Sequence, residues 1–233
     1  MPEAYDFERA WQERLAGCVE EVAGAEVRQE VMAGAEGLSM ASRREEVIAW
    51  SRLAMERLEA LVEEKDRRAI MLGCACQYPK TSLQEVREYF QATGDLDGAH
   101  AMLQAQFESF LRETLRLADG HFEEVVSRGW GAAGVREGEQ IIATKIPKSG
   151  FLVEYLQETD GEKRRQLYCH CPRVRDALKM GEMLSRTYCY CGAGFYKGIW
   201  EEILGQPVEV ELQESVLDGD EVCKVAIHLP PGA

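Results

Sequence analysis

"GWGAAGVREGE", residues 129–139, is where the chain changes character. Four glycines in this stretch interrupt any regular element that precedes it. Upstream, apolar residues recur at helical spacing; downstream, they alternate or are β-branched over short runs. The sequence therefore predicts an α+β fold: a helical region over 1–138 and an α/β domain over 139–233 with a mainly antiparallel sheet.

Within the first region, Phe7, Trp11, Leu15, Val19 and Val22 predict a helix from Tyr5 to about Ala23 with one buried stripe. Ser42 and Glu45 form a capping-box pattern ahead of a helix through Ile48, Leu53, Met55, Leu58 and Val62. Ile70–Cys76 reads as a short apolar segment ending at Pro79. Ser82 can cap a helix through Phe90 that Gly94 breaks, and a longer amphipathic helix is predicted over Leu96–Leu117.

In the second region, Gln140–Ile146, Phe151–Gln157 and Arg165–Cys171 read as strands, with Pro147-Lys-Ser-Gly150 joining the first two. Pro172 suits the first turn of a helix through Met183. A further helix stops at Gly205, and two alternating segments around Asp218-Gly219 close the chain as a hairpin.

Lys+Arg 27 against Asp+Glu 41 gives a net charge of −14, which repels phosphate backbones and anionic lipid. Nucleic acid and membranes are thus unexpected partners. The N-terminus carries acids from the third residue, and no run approaches the roughly 18 apolar residues that a membrane span needs. A cytoplasmic location is expected, and there eight cysteines suit ligand, redox or packing roles better than structural disulfides.

Six of the eight cysteines fall in three Cys-x-Cys pairs: Cys74/Cys76, Cys169/Cys171 and Cys189/Cys191. On a strand, residues i and i+2 share a face, so two such pairs would make a four-thiolate claw. Zinc or, less favoured, an iron–sulfur cluster has that ligand requirement. The plainer reading is that one cysteine of each pair packs as a small hydrophobe. Cys18, on a helix with no sequence neighbour, reads as structural. His170, between two cysteines, would face away from them on a strand; it is a candidate ligand or acid–base group, or else a surface or hydrogen-bonded imidazole.

Gly192, Gly194 and Gly198 ahead of a helix, with Glu209 and Glu211 beyond, imitate a dinucleotide fingerprint. The spacing is G-x-G-x-x-x-G and too little chain follows for a doubly wound sheet. Close helix packing, or free backbone N–H groups for an anionic group, is the better use of these glycines.

"YCYCGAGFYKGIWEEILGQPVEVELQESVLDGDEVCKVAIHL", residues 188–229, resembles the end of the 4-vinyl-reductase domain family. With the upstream "GCAC" at 73–76, the chain is also similar to uncharacterised bacterial proteins grouped with L-2-amino-thiazoline-4-carboxylate hydrolase-like sequences. The first resemblance implies a small-molecule-binding α/β domain, often sensory or accessory. In some members it holds zinc through a Cys, a Glu and further Cys residues. Carried over, these places fall on Cys189 or Cys191, Glu211 and Cys223, with Glu214 where the family has another cysteine.

Two function classes follow. The favoured one is a small-molecule-binding module with a structural metal, its pocket lined by Tyr188, Tyr190, Phe195, Tyr196 and Trp200 beside Gly192 and Gly194. The other is a metal- or thiol-dependent hydrolase of a small sulfur- or nitrogen-containing molecule, with His170, Glu211 or Glu214 as catalytic base. A third reading uses the thiol pairs as redox centres. The helical region offers surface for a homodimer.

Overall fold

Asp6 starts the first helix. Its carboxylate accepts from the backbone N–H groups of Glu8 and Arg9 at 3.0 and 3.1 Å, pairing donors that a first turn leaves open. In the computed structural model, which describes residues 5–231, α1 (Phe7–Ala23) buries Trp11, Leu15 and Val19. Phe7 and Val22 stay exposed, so the buried stripe is narrower than the periodicity predicts.

α2 (Ala25–Met32), α3 (Arg44–Leu61) and α4 (Glu64–Gly73) follow. The capping box expected at Ser42 does not form: Arg43 occupies the cap position, and the Ser42 hydroxyl accepts from Ser39 N–H at 3.0 Å in the preceding turn. The apolar run at Ile70 is the end of α4 rather than a separate segment. α2 carries no sequence signal because Val31 alone is buried in it.

The fold is α+β, helical in its N-terminal half, with a four-stranded antiparallel sheet in the C-terminal part. The change of secondary structure comes where the glycine-rich stretch places it. The compact units are divided differently: one comprises the chain up to Cys76 with Cys171–Gly194, the other Gln77–His170 with the chain from Phe195 onward.

In the first unit, α10 (Pro172–Met180) packs on α3. Arg44 holds Asp176 at 2.6 Å and Glu8 at 2.7 Å, and Glu8 also pairs with Arg173. Glu8 and Arg173 are each 3% exposed, and the Arg173 guanidinium lies 4.1 Å from the centre of the Trp11 ring. Buried charges of this kind cost heavily when one partner is lost, so the network fixes how α1, α3 and α10 meet.

The second unit holds α5 (Lys80–Thr93), α6 (Leu96–Ser109), a π-helical turn (Phe110–Thr114) and α7 (Asp119–Ser127). The single helix expected over Leu96–Leu117 thus changes its hydrogen bonding after Ser109. Asp95 caps α6, accepting from Gly98 N–H at 3.0 Å.

Two expected strands are helices. Phe151–Gln157 yields α8 (Leu152–Gln157), whose buried residues Leu152 and Tyr155 are three apart, a helical rather than a strand period. Arg165–Cys171 falls in α9 (Gly161–Tyr168) and the link after it; Asp160 caps this helix by accepting from Lys163 N–H at 3.0 Å. Residues 147–150 consequently lead into a short 3₁₀ turn at Ser149–Phe151 instead of closing a hairpin.

The sheet has the order β1-β2-β4-β3, from β1 (Val135–Glu137), β2 (Gln140–Thr144), β3 (Glu209–Glu214) and β4 (Lys224–His228). β4 is central, with Val225, Ala226 and Ile227 all buried. β3 is an edge whose Glu209, Glu211 and Gln213 face water, and it bulges between Leu212 and Glu214. The final pair forms as read, through a loop over residues 215–223 rather than a two-residue turn. α11 (Tyr190–Leu204) ends at Gly205, which has φ +68°.

Candidate functional site

Cys74 ends α4 as its C-cap residue and is fully buried. Cys191 is half-buried and is the second residue of α11, which directly follows a 3₁₀ turn. The two thiols are hydrogen-bonded, and that bond, followed by burial and the nearby charge of Cys191, pushes Cys74 well above the ordinary thiol pKa. A shift in that direction means that Cys74 keeps its proton. The Cys74 thiol donates to Met71 O at 3.4 Å.

Cys18 of α1 faces this pair. Burial raises its pKa; Glu21 and Cys191 add to the rise and Arg14 opposes it. The approach is close enough that a Cβ on Gly73 would lie 2.9 Å from Cys18 Sγ. Arg14, one turn before Cys18, donates from Nε to Cys74 O at 3.3 Å and from Nη2 to Cys76 Sγ at 3.8 Å. Cys76 is exposed.

Tyr188 borders the cluster. Its hydroxyl is 3.5 Å from Cys171 Sγ and accepts from Arg173 at 3.4 Å. Burial raises its pKa well above the ordinary phenol value; Arg173 opposes this, while Cys171 and Cys191 add to it. The Arg173 guanidinium stays protonated despite burial because Tyr188, Cys171 and Glu8 favour its charge. Cys171 caps α10 and is half-buried. All eight cysteines are present as thiols.

The strand argument for paired sulfurs does not hold. Cys169 follows α9, Cys171 precedes α10, Cys189 ends a 3₁₀ turn (Arg186–Cys189) and Cys191 is helical, so no Cys-x-Cys pair lies on a strand. Cys18, Cys74, Cys76, Cys171, Cys189 and Cys191 belong to the first unit, Cys169 and Cys223 to the second.

Among the described residues, no three His, Cys, Asp or Glu side chains are set so that they could hold a metal ion. The donor set that zinc or an iron–sulfur cluster needs is not assembled among them. The carried-over Glu211 and Cys223 sit in different surroundings. The Glu211 carboxylate is 63% exposed, 4.0 Å from His228; Cys223 is buried, its N–H donating to Tyr168 Oη at 2.8 Å. Glu214 pairs with Lys224 at 2.5 Å.

The comparisons with known proteins cover part of this region. Residues 153–231 match a family of unknown function, DUF6144. No curated protein and no solved structure matches the chain. The matched stretch takes in Cys169, Cys171, Cys189, Cys191 and Cys223 and leaves Cys18, Cys74 and Cys76 outside it.

Four of the five aromatic residues expected to line a pocket are core, and Phe195 is half-buried. Tyr188, Tyr190, Tyr196 and Trp200 are buried, and Trp200 stacks on His100 with ring centres 6.2 Å apart. Phe195 meets Tyr78 edge-on. An open depression of 620 Å³ in the second unit is lined instead by Tyr78, Ser82, Glu85, Glu88 and Gln106, among others. Gly194 serves close packing: a Cβ there would lie 2.1 Å from Leu72 O. His170 hydrogen-bonds Ile146 O from Nε2 at 3.1 Å in the second unit. Among the described residues no helix is long and apolar enough to cross a membrane.

Arg14 and Cys18 are the site residues that sequence reading leaves out. Their i, i+4 spacing on one helix face, with a thiol at one end and a cation at the other, is the signal that could have found them.

Proposed function

We propose that the protein is a thiol–disulfide redox protein whose working pair is Cys74 and Cys191. The close approach of α11 to the end of α4, where a Cβ on Gly194 would lie 2.1 Å from Leu72 O, together with the interaction of the two thiols that raises the Cys74 pKa, carries this reading. Cys191 is half-buried near the N-terminal end of a long helix, whose dipole favours a thiolate. Cys74 is the buried, proton-retaining partner that completes the disulfide.

In the net step the pair becomes a disulfide while an external disulfide becomes two thiols. Two electrons leave the protein sulfurs, and the two protein S–H protons end on the released thiols.

The test is redox titration of the reduced full chain in oxygen-free glutathione buffers poised from about −320 to −180 mV. We expect two of the eight thiols to disappear together and a Cys74–Cys191 linked peptide to appear in a non-reducing digest. Eight thiols throughout, a link between other cysteines, or zinc retained at one per chain and lost on Cys74→Ser would each overturn the proposal.

A further inference from the structure

Cys74 is buried and Cys191 half-buried, so a redox pair at this place needs a thiol that meets the external disulfide first. Cys76 is the exposed cysteine of the first unit, two residues from Cys74. Arg14 binds its sulfur at 3.8 Å and, through Nε, the carbonyl of Cys74 at 3.3 Å. A guanidinium beside an exposed thiol stabilises the thiolate, the form that attacks.

Two of the five guanidinium N–H donors are used in these contacts, which leaves others for a carboxylate. The chain's net charge of −14 repels an anionic reagent at long range, but charges beyond about 8 Å are screened at physiological ionic strength. Close to the sulfur, Arg14 decides.

Resting on the redox reading of the pair, we propose that Cys76, held by Arg14, is the receiving thiol, and that its substrate class is a small carboxylate-bearing disulfide of the glutathione type. The Cys76 thiolate attacks the external S–S bond, forming a mixed disulfide and releasing one thiolate. The Cys191 thiolate then attacks the Cys76 sulfur and expels Cys76's external partner as the second thiolate, leaving a Cys76–Cys191 disulfide. Cys74 attacks Cys191, closes the working pair and returns Cys76 as a thiolate. The two released thiolates take the protons lost by Cys74 and Cys191, so the sum is one disulfide reduced and one formed.

The experiment mixes reduced full-length protein with glutathione disulfide, quenches in acid at short times and maps adducts. The glutathionyl group is expected first on Cys76 and the Cys74–Cys191 link later. Cys76→Ser, at an exposed position, should slow formation of that link. Arg14→Gln should slow the reaction with glutathione disulfide by about two- to fivefold more than that with uncharged bis(2-hydroxyethyl) disulfide.

An undiminished rate of Cys74–Cys191 closure in Cys76→Ser overturns the receiving role and leaves the pair standing. A Cys76 adduct that never passes to Cys74–Cys191 overturns the pair instead. Equal slowing with both reagents removes the carboxylate specificity.

Discussion

Burial holds the imidazole of His170 neutral. It lowers the pKa to about 3, and the charges of Lys145 and Lys148 act in the same direction, against hydrogen bonds to the backbone at Ile146 and Pro147. Because a carbonyl only accepts, Nε2 carries the proton that reaches Ile146 O. The unfolded chain has an ordinary histidine that binds a proton below its value of 6.5. Between 6.5 and about 3 the unfolded state therefore holds more protons than the native one, and stability falls as pH falls. A full proton corresponds to about 1.4 kcal/mol per pH unit, so about 2 kcal/mol should be lost by pH 5. His170→Gln, which keeps a donor, should lack that part of the loss in urea unfolding at about pH 7 and pH 5. Identical pH dependence in the two proteins would show that the native imidazole is not held neutral.

At the scale of elements, α11 depends on one absent side chain. Its Gly194 Cβ would stand 2.1 Å from Leu72 O and 2.8 Å from Ala75 Cβ, so α11 can approach the end of α4 only with glycine there. That approach is what brings Cys191 to Cys74. Gly194→Ala should therefore destabilise by about 3 kcal/mol and reduce the yield of the Cys74–Cys191 disulfide. Gly198→Ala is the contrast: its Cβ meets only Gln77 Oε1 at 3.8 Å, and alanine in a helix should raise stability by about 0.5 kcal/mol. Equal melting of the two variants would reject the close-packing argument. The helix itself is plain in the sequence, from its apolar period and its stop at Gly205, whereas α8 and α9 are not. In Phe151–Gln157 the β-branched and aromatic residues favour a strand, and only the burial of Leu152 with Tyr155 reveals the helical period.

For the whole molecule, the sequence shows that thiols matter but not which ones meet. The Cys-x-Cys repeats draw attention to neighbours two residues apart, yet the thiol that interacts with Cys74 is Cys191, brought to it by the folding of distant segments. The chain makes its first unit from the residues up to Cys76 and from Cys171–Gly194, so the change of periodicity near 138 is no place to cut it. A fragment of residues 1–138 keeps Glu8 and Arg44 but lacks Arg173 and Asp176, leaving a buried carboxylate without its nearest cation. It also uncovers Trp11, which loses Tyr188 at 5.3 Å and Arg173 at 4.1 Å, and strips β1 of its partner β2. We expect this fragment to be partly helical by circular dichroism but to melt without a cooperative transition, with the emission of Trp11 and Trp50 shifted toward that of exposed indole. A sharp transition in the fragment would mean that helices α1 to α4 are stable without α10, and that the charges shared by Glu8, Arg44, Arg173 and Asp176 add little to the fold.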